Sequence, residues 1–169
     1  MKFFLKINLS KENSIPVVQQ VLQLLDEEKH EYMLCCDDWL GDLVTRDRCA
    51  VSAHEGIRWC DVIITIGGDG TLLGVGQTAA DYNKPVFGIN TGHLGFLTAI
   101  EGNQLDLLKS ISDNKSFAVK KHHFIQAKIN DGPWYYCLND VVISKNIYSN
   151  TVELLLQSNG SQIMGFAGD

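Results

Sequence analysis

The densest chemical signal in the chain is Gly67-Gly68-Asp69-Gly70-Thr71. It follows the β-branched run Asp61 to Ile66 and precedes a segment, Thr71 to Tyr82, that reads as a helix despite Gly74 and Gly76, each of which lowers its propensity. Glycines at a strand-to-helix junction allow close backbone approach, and the free amides of a helix N-terminus suit a phosphate. An acid among such glycines repels an anionic ligand, so it needs a task of its own. Asp69 could position or deprotonate a hydroxyl nucleophile, or share a metal with phosphate groups. The competing reading is a tight turn with Asp69 as a helix cap, and these five residues alone leave both open.

A second glycine cluster, Gly88-Ile89-Asn90-Thr91-Gly92-His93-Leu94-Gly95-Phe96-Leu97, follows the apolar run Pro85 to Ile89. Both clusters then sit at the carboxyl ends of neighbouring strands, where open α/β sheets bind ligands. The plainer reading makes this a glycine-rich connection with Phe96 as a core anchor.

The elements that must position these loops are legible from the apolar pattern. Phe3 to Asn8 and Tyr32 to Cys36 read as strands flanking a helix that Ser14 opens, with Pro16 in its first turn. Asp37 to His54 is polar and poorly periodic. Strands alternating with helices indicate crossover connections and a mainly parallel sheet. The texture changes near residues 112 to 116. Beyond it, Asn130-Asp131-Gly132-Pro133 and Ser158-Asn159-Gly160-Ser161 are tight turns that join strand-like arms. The expectation is an α/β domain over 1–115 and an incomplete β-sandwich over 116–169.

Composition narrows the function classes. The chain has 169 residues, 45% hydrophobic and 20% charged, which describes a packed globular protein. Lys+Arg 14 against Asp+Glu 20 gives a net charge of -6, so no global basic field draws it to nucleic acid or anionic lipid. No apolar run approaches a membrane span and no export signal is read, which points to a cytoplasmic protein. The five cysteines are an odd, scattered set, consistent with reduced thiols. No cluster of metal-ligating side chains is read, so no metal site formed by the protein alone is expected.

Three stretches together resemble the NAD kinase family: Ile66 to Leu73, Gly88 to Ile100 and Leu138 to Lys145, in the family's order and spacing. The first is shared with diacylglycerol and sphingosine kinases. The second is not, because the lipid kinases carry a different pattern there. The resemblance implies ATP-dependent phosphorylation of the 2′-hydroxyl of the adenosine ribose of NAD to give NADP, with Mg²⁺ or another divalent metal. The alternatives are an inactive nucleotide-binding fragment and a diacylglycerol-type lipid kinase.

The resemblance further implies that Asp69 is the catalytic acid/base. Gly68, Gly70, Thr71 and Asn90 would lie in the nucleotide site, Phe96 would line the adenine pocket, and Asn139, Asp140, Asn150 and Asp169 would contact ligand. Asp140 stands where the family often has glutamate, and Ala167 where it often has arginine. The family also continues past the position of Asp169, so the resemblance implies a truncated member that forms no measurable NADP alone and binds NAD weakly if at all. It implies a dimer or tetramer at full length. We predict that, in a full-length version, Asp69→Asn lowers turnover on the order of 100- to 10,000-fold while NAD still binds, as steady-state kinetics and calorimetry would check. Near-normal turnover would return Asp69 to a capping role.

Overall fold

A computed structural model of the chain describes residues 1–10, 13–35, 45–50, 52–92, 95–112, 118–145 and 151–168, with Arg46 and Ser112 described in backbone only. Its contacts fall into two units, Met1–His123 and Phe124–Asp169.

In the first unit the chain runs β1 (Lys2–Ile7), α1 (Ser14–Glu27), β2 (Glu31–Cys35), a 3₁₀ turn (Arg46–Arg48), β3 (Cys49–Ala50) and α2 (Ala53–Trp59). It continues through β4 (Val62–Gly67), α3 (Asp69–Asp81), β5 (Val86–Asn90), β6 (Ile100–Glu101) and α4 (Asp106–Ser112). The strands form one six-stranded sheet in the order β3-β2-β1-β4-β5-β6, and every pairing is parallel.

Alternation along β1 explains the layers. Phe3, Leu5 and Ile7 face a core shared with α1 and α4, while Phe4 faces a second core with Ile57 of α2 and Val75 and Ala79 of α3. Phe3 and Phe4 are both fully buried, and each contributes roughly 2–3 kcal/mol by removing its ring from water. Strand β4 is buried along its whole length, as a central parallel strand covered on both faces must be. Helix α1 places Val17, Val18, Val21, Leu22, Leu24 and Leu25 inward at helical spacing. Pro16 sits in its first turn, where a missing amide costs nothing.

Because β1 leads to β2 on one side and β4 lies on its other side, the connections diverge between β1 and β4. The parallel α/β expectation therefore holds, with elements the pattern did not reveal. Strands β3 and β6 have two residues each and helices α2 and α4 seven, too short to show a period. Cys35, Cys49, Cys60 and Cys137 are not joined in disulfides, and burial pushes the Cys60 thiol up to about 11. No helix among the described residues is long and apolar enough to cross a membrane.

The second unit holds two antiparallel hairpins. Strand β7 (Ile125–Lys128) pairs with β8 (Trp134–Cys137), and β9 (Val152–Ser158) pairs with β10 (Ser161–Gly168). Asn159 at φ 49 and Gly160 at φ 80 give the second hairpin a two-residue turn whose twist matches its arms. Trp134, Tyr135, Leu155, Met164 and Phe166 are exposed on these hairpins.

Two glycines of the first unit make a contrasting pair. A Cβ at Gly56 would collide with the Phe4 ring, whereas one at Gly74 would meet nothing within 4 Å. We predict that Gly56→Ala destabilises the protein by about 1–3 kcal/mol through overpacking. Gly74→Ala should stabilise it by about 0.5–1 kcal/mol through helix propensity. Urea unfolding of the two variants beside the parent checks both signs.

Candidate active site

The turn after β4 is built differently from a helix capped by an acid. Helix α3 begins at Asp69 rather than Thr71, and its N-cap is Gly68, in extended conformation at φ -145 and ψ -169. The amide of Gly68 donates to Thr71 Oγ1 at 3.4 Å, so Thr71 supplies a long half of a capping interaction. The first helical amides, those of Asp69 and Gly70, have no intrahelical acceptor by the geometry of a helix start.

Asp69 turns its side chain away from its own helix. Its Oδ2 accepts the Phe96 amide at 2.8 Å, and its Oδ1 accepts those of Leu97 at 3.1 Å and Thr98 at 3.3 Å. The carboxylate thus fastens the second glycine loop to the first. Gly95 is required by this approach, because a Cβ there would collide with the Asp69 carboxylate. A carboxylate offers about four lone-pair directions, and three are used, so Oδ2 retains one.

Further bonds join the two loops. Asn90 ends β5 opposite Gly67 in the register and is only 3% exposed. Its Oδ1 accepts the Gly92 amide at 3.1 Å. The Thr91 amide donates to the Gly67 carbonyl at 2.8 Å, and Thr91 Oγ1 lies 3.2 Å from the buried Ser14 Oγ. Thr91 and Ser14 were not singled out from sequence. A threonine after a strand end is too common to be a signal, and its partner lies 77 residues away.

Phe96 is 99% exposed, which removes the core-anchor reading. With its amide held by Asp69, the ring stands in solvent beside the acid. The structure therefore brings Gly68, Asp69, Gly70, Thr71, Asn90 and Phe96 together at the carboxyl ends of β4 and β5. Asn139 and Asp140 belong to the second unit, exposed at a bend after β8. Asn150 and Asp169 lie outside the described residues, as does His93.

On the other side of α3 a groove of about 460 Å³ runs between Lys6–Leu9 and Gly70, Thr71 and Gly74. It opens where the connections diverge between β1 and β4, the usual ligand crevice of such sheets. From sequence, Lys6 has no role beyond its place in the strand Phe3 to Asn8. The available signal was its parity with Phe4, which sets it on the α3 face of the sheet.

The loop attachment yields a direct expectation. We predict that Asp69→Ala loses on the order of 2 kcal/mol of stability and speeds hydrogen exchange at the Phe96 and Leu97 amides at least tenfold. Asp69→Asn should sit between the two, keeping one carbonyl oxygen. Unchanged exchange in Asp69→Ala would show that the loop holds itself.

Comparison with known proteins agrees with this geometry. The model of the ATP-NAD kinase N-terminal domain matches residues 4–113. The NAD kinase of Burkholderia cenocepacia (strain HI2424) is 39% identical over 112 residues, covering 64% of this chain and 37% of that protein. The NAD kinase of Caldicellulosiruptor bescii is 30% identical over 156 residues, 91% of this chain and 52% of that one. That of Prosthecochloris aestuarii is 28% identical over 174 residues, 100% and 59% respectively. The chain thus spans between 37% and 59% of the length of these relatives. Among solved structures, yeast NADH kinase complexed with NADH superposes with a TM-score of 0.68 at 16% identity, over 98% of this chain and 54% of that one. The fold is thus shared, and with the family model covering most of the first unit, the chain belongs to the ATP-NAD kinase family.

Proposed function

We propose that the protein containing this chain is an ATP-dependent NAD kinase that phosphorylates the 2′-hydroxyl of the adenosine ribose of NAD. One observation carries the reading: a carboxylate fixed by three amides at the junction of two glycine loops, keeping one lone pair on Oδ2 beside the exposed Phe96 ring. Such a group suits a single hydroxyl, and the ring suits a base placed next to it.

In this reaction the ribose 2′-oxygen attacks the γ-phosphorus, the bond from that phosphorus to the β-γ bridging oxygen breaks, and ADP leaves. The hydroxyl proton passes to Asp69 Oδ2, and NAD with ATP becomes NADP, ADP and a proton. The amides of Phe96, Leu97 and Thr98 hold the carboxylate in one orientation throughout, so no reorganisation is needed as the proton moves. The amides of Asp69 and Gly70 at the start of α3 suit developing phosphate charge.

Among the described residues no three His, Cys, Asp or Glu side chains cluster to hold a metal ion. We infer a divalent cation that arrives with the nucleotide, as Mg²⁺ does when it keeps waters and phosphate oxygens as ligands. When bound, that ion would neutralise charge on the transferring phosphates. For NAD, the family resemblance assigns further contacts to Asn139, Asp140, Asn150 and Asp169.

The deciding assay incubates the whole protein with NAD, ATP and Mg²⁺ and detects NADP by mass spectrometry. Absence of NADP from a folded preparation that binds both substrates would overturn the reading. We predict that Phe96→Ala weakens NAD binding by about 1–3 kcal/mol in calorimetry, through loss of stacking on a base. The same change should leave stability within about 0.5 kcal/mol, because the ring is exposed.

A further inference from the structure

We propose that Thr91 is a positioning residue for phosphoryl transfer, its hydroxyl, backed by that of Ser14, fixing the peptide plane that leads from β4 into Asp69. The inference rests on the kinase reading above, in which Asp69 meets the acceptor hydroxyl, and adds to it the residues that hold the acid in place.

The peptide joining Gly67 to Gly68 is where the chain leaves β4 for the acid. A Cβ at Gly67 would collide with the Thr71 side chain, so close approach requires glycine there. Gly68 follows as the extended N-cap of α3. Two successive glycines give this peptide little restraint from side chains of its own, and a rotation of its plane can carry Asp69 with it. The restraint must come from elsewhere in the fold.

Bonds at both ends of the peptide supply it. In a trans peptide the carbonyl oxygen and the next amide point in opposite directions, so fixing each of them fixes the plane. The Gly67 carbonyl accepts the Thr91 amide at 2.8 Å and the Thr91 hydroxyl at 3.4 Å. On the other side the Gly68 amide donates to Thr71 Oγ1 at 3.4 Å. Thr91 therefore anchors the carbonyl end twice, once through its backbone and once through its side chain.

The Thr91 hydroxyl is itself held. Its Oγ1 lies 3.2 Å from Oγ of Ser14, the residue that opens α1, and both residues are buried. Each hydroxyl has one proton to donate. The proton of Thr91 goes to the Gly67 carbonyl, so that of Ser14 goes to Thr91 Oγ1, and the chain of bonds runs one way from α1 through Thr91 to the end of β4.

Stability alone does not call for this arrangement. Burying two hydroxyls costs what their bonds return, and a valine with an alanine would fill the same space without that cost. The buried polar residues among those described are Ser14, Thr65, Asn90 and Thr91, and of these Ser14, Asn90 and Thr91 gather where the glycine loops leave the sheet. A bonded polar network in a buried place selects one geometry. Misplacing a catalytic group by about 1 Å costs on the order of 100-fold in rate, so a plane held in this way bears on turnover more than on binding.

The test compares the whole protein with its Thr91→Val, Thr91→Ser and Ser14→Ala variants. Steady-state assays with NAD, ATP and Mg²⁺ give kcat and KM, and hydrogen exchange follows the Phe96 and Leu97 amides that Asp69 holds. Valine keeps the shape of threonine and the amide bond to Gly67, and loses only the hydroxyl. We expect Thr91→Val to lower kcat about tenfold with KM for both substrates within about threefold, and to quicken exchange at both amides. Thr91→Ser should keep kcat within about threefold of the parent, and Ser14→Ala should lower it about two- to fivefold with KM unchanged. Parental kcat in Thr91→Val would overturn the proposal even if exchange quickened, because the hydroxyl would then serve the fold alone. So would a serine variant no better than the valine one, or an effect of Thr91→Val on KM without one on kcat. Should Thr91→Val fail to fold, Ser14→Ala decides from 77 residues away, and parental kcat there overturns the proposal. If the folded parent makes no NADP, the kinase reading fails by itself; faster exchange in Thr91→Val would still show that Thr91 places Asp69, and equal exchange would overturn that as well.

Discussion

A single carboxylate accepting three consecutive backbone amides organises the candidate site. It gives the acid among the glycines of this turn a structural task. The negative charge of Asp69 is directed into the Gly95–Thr98 loop, and as the first residue of α3 it also lies where the helix dipole favours an anion. The amides at the helix start remain available to phosphate on the other side. One residue thereby holds two loops together and leaves the turn between them usable by a ligand of its own sign.

That arrangement depends on the sheet. Parallel pairing of β4 and β5 sets Gly67 opposite Asn90, so both glycine loops leave the sheet at the same level. Burial of β4 on both faces makes this level rigid, and the Thr91 amide closes the gap between the strand ends with a bond to Gly67. Small shifts in either strand would carry the amides of Phe96, Leu97 and Thr98 out of reach of the carboxylate. Precision at the site is thus inherited from the register of two buried strands.

Much of this was legible from residue pattern. The run ending at Ile66, the helical segment after it and the two turn signals beyond residue 124 are strong local codes, and each corresponds to an element. The polar stretch up to His54 concealed β3 and the start of α2, because a two-residue strand has no alternation and a seven-residue helix barely two turns. Asp69 was visible as an unusual acid, yet its partners were not, since amides 27 to 29 residues away carry no sequence signature. Phe96 read equally well as core or as ligand contact, and its exposure removes the first of these readings. Lys6 was hidden by its surroundings, because a cation in an apolar strand looks like a break in the pattern rather than a side chain aimed at a crevice.

The central place of β1 also bears on biosynthesis. Of the strands described it is synthesised before the others, and β2 can join it once residue 35 has emerged, with α1 covering Phe3 and Leu5. Phe4 faces the other way, toward α2 and α3, and β1 lacks its second neighbour until β4 has been made. At about 5–20 residues per second, the nascent chain carries an aromatic ring and an unpaired strand edge for seconds before they are covered. The same connection that opens a crevice between β1 and β4 delays the enclosure of β1 until well after its own synthesis, a period in which chaperones can engage it.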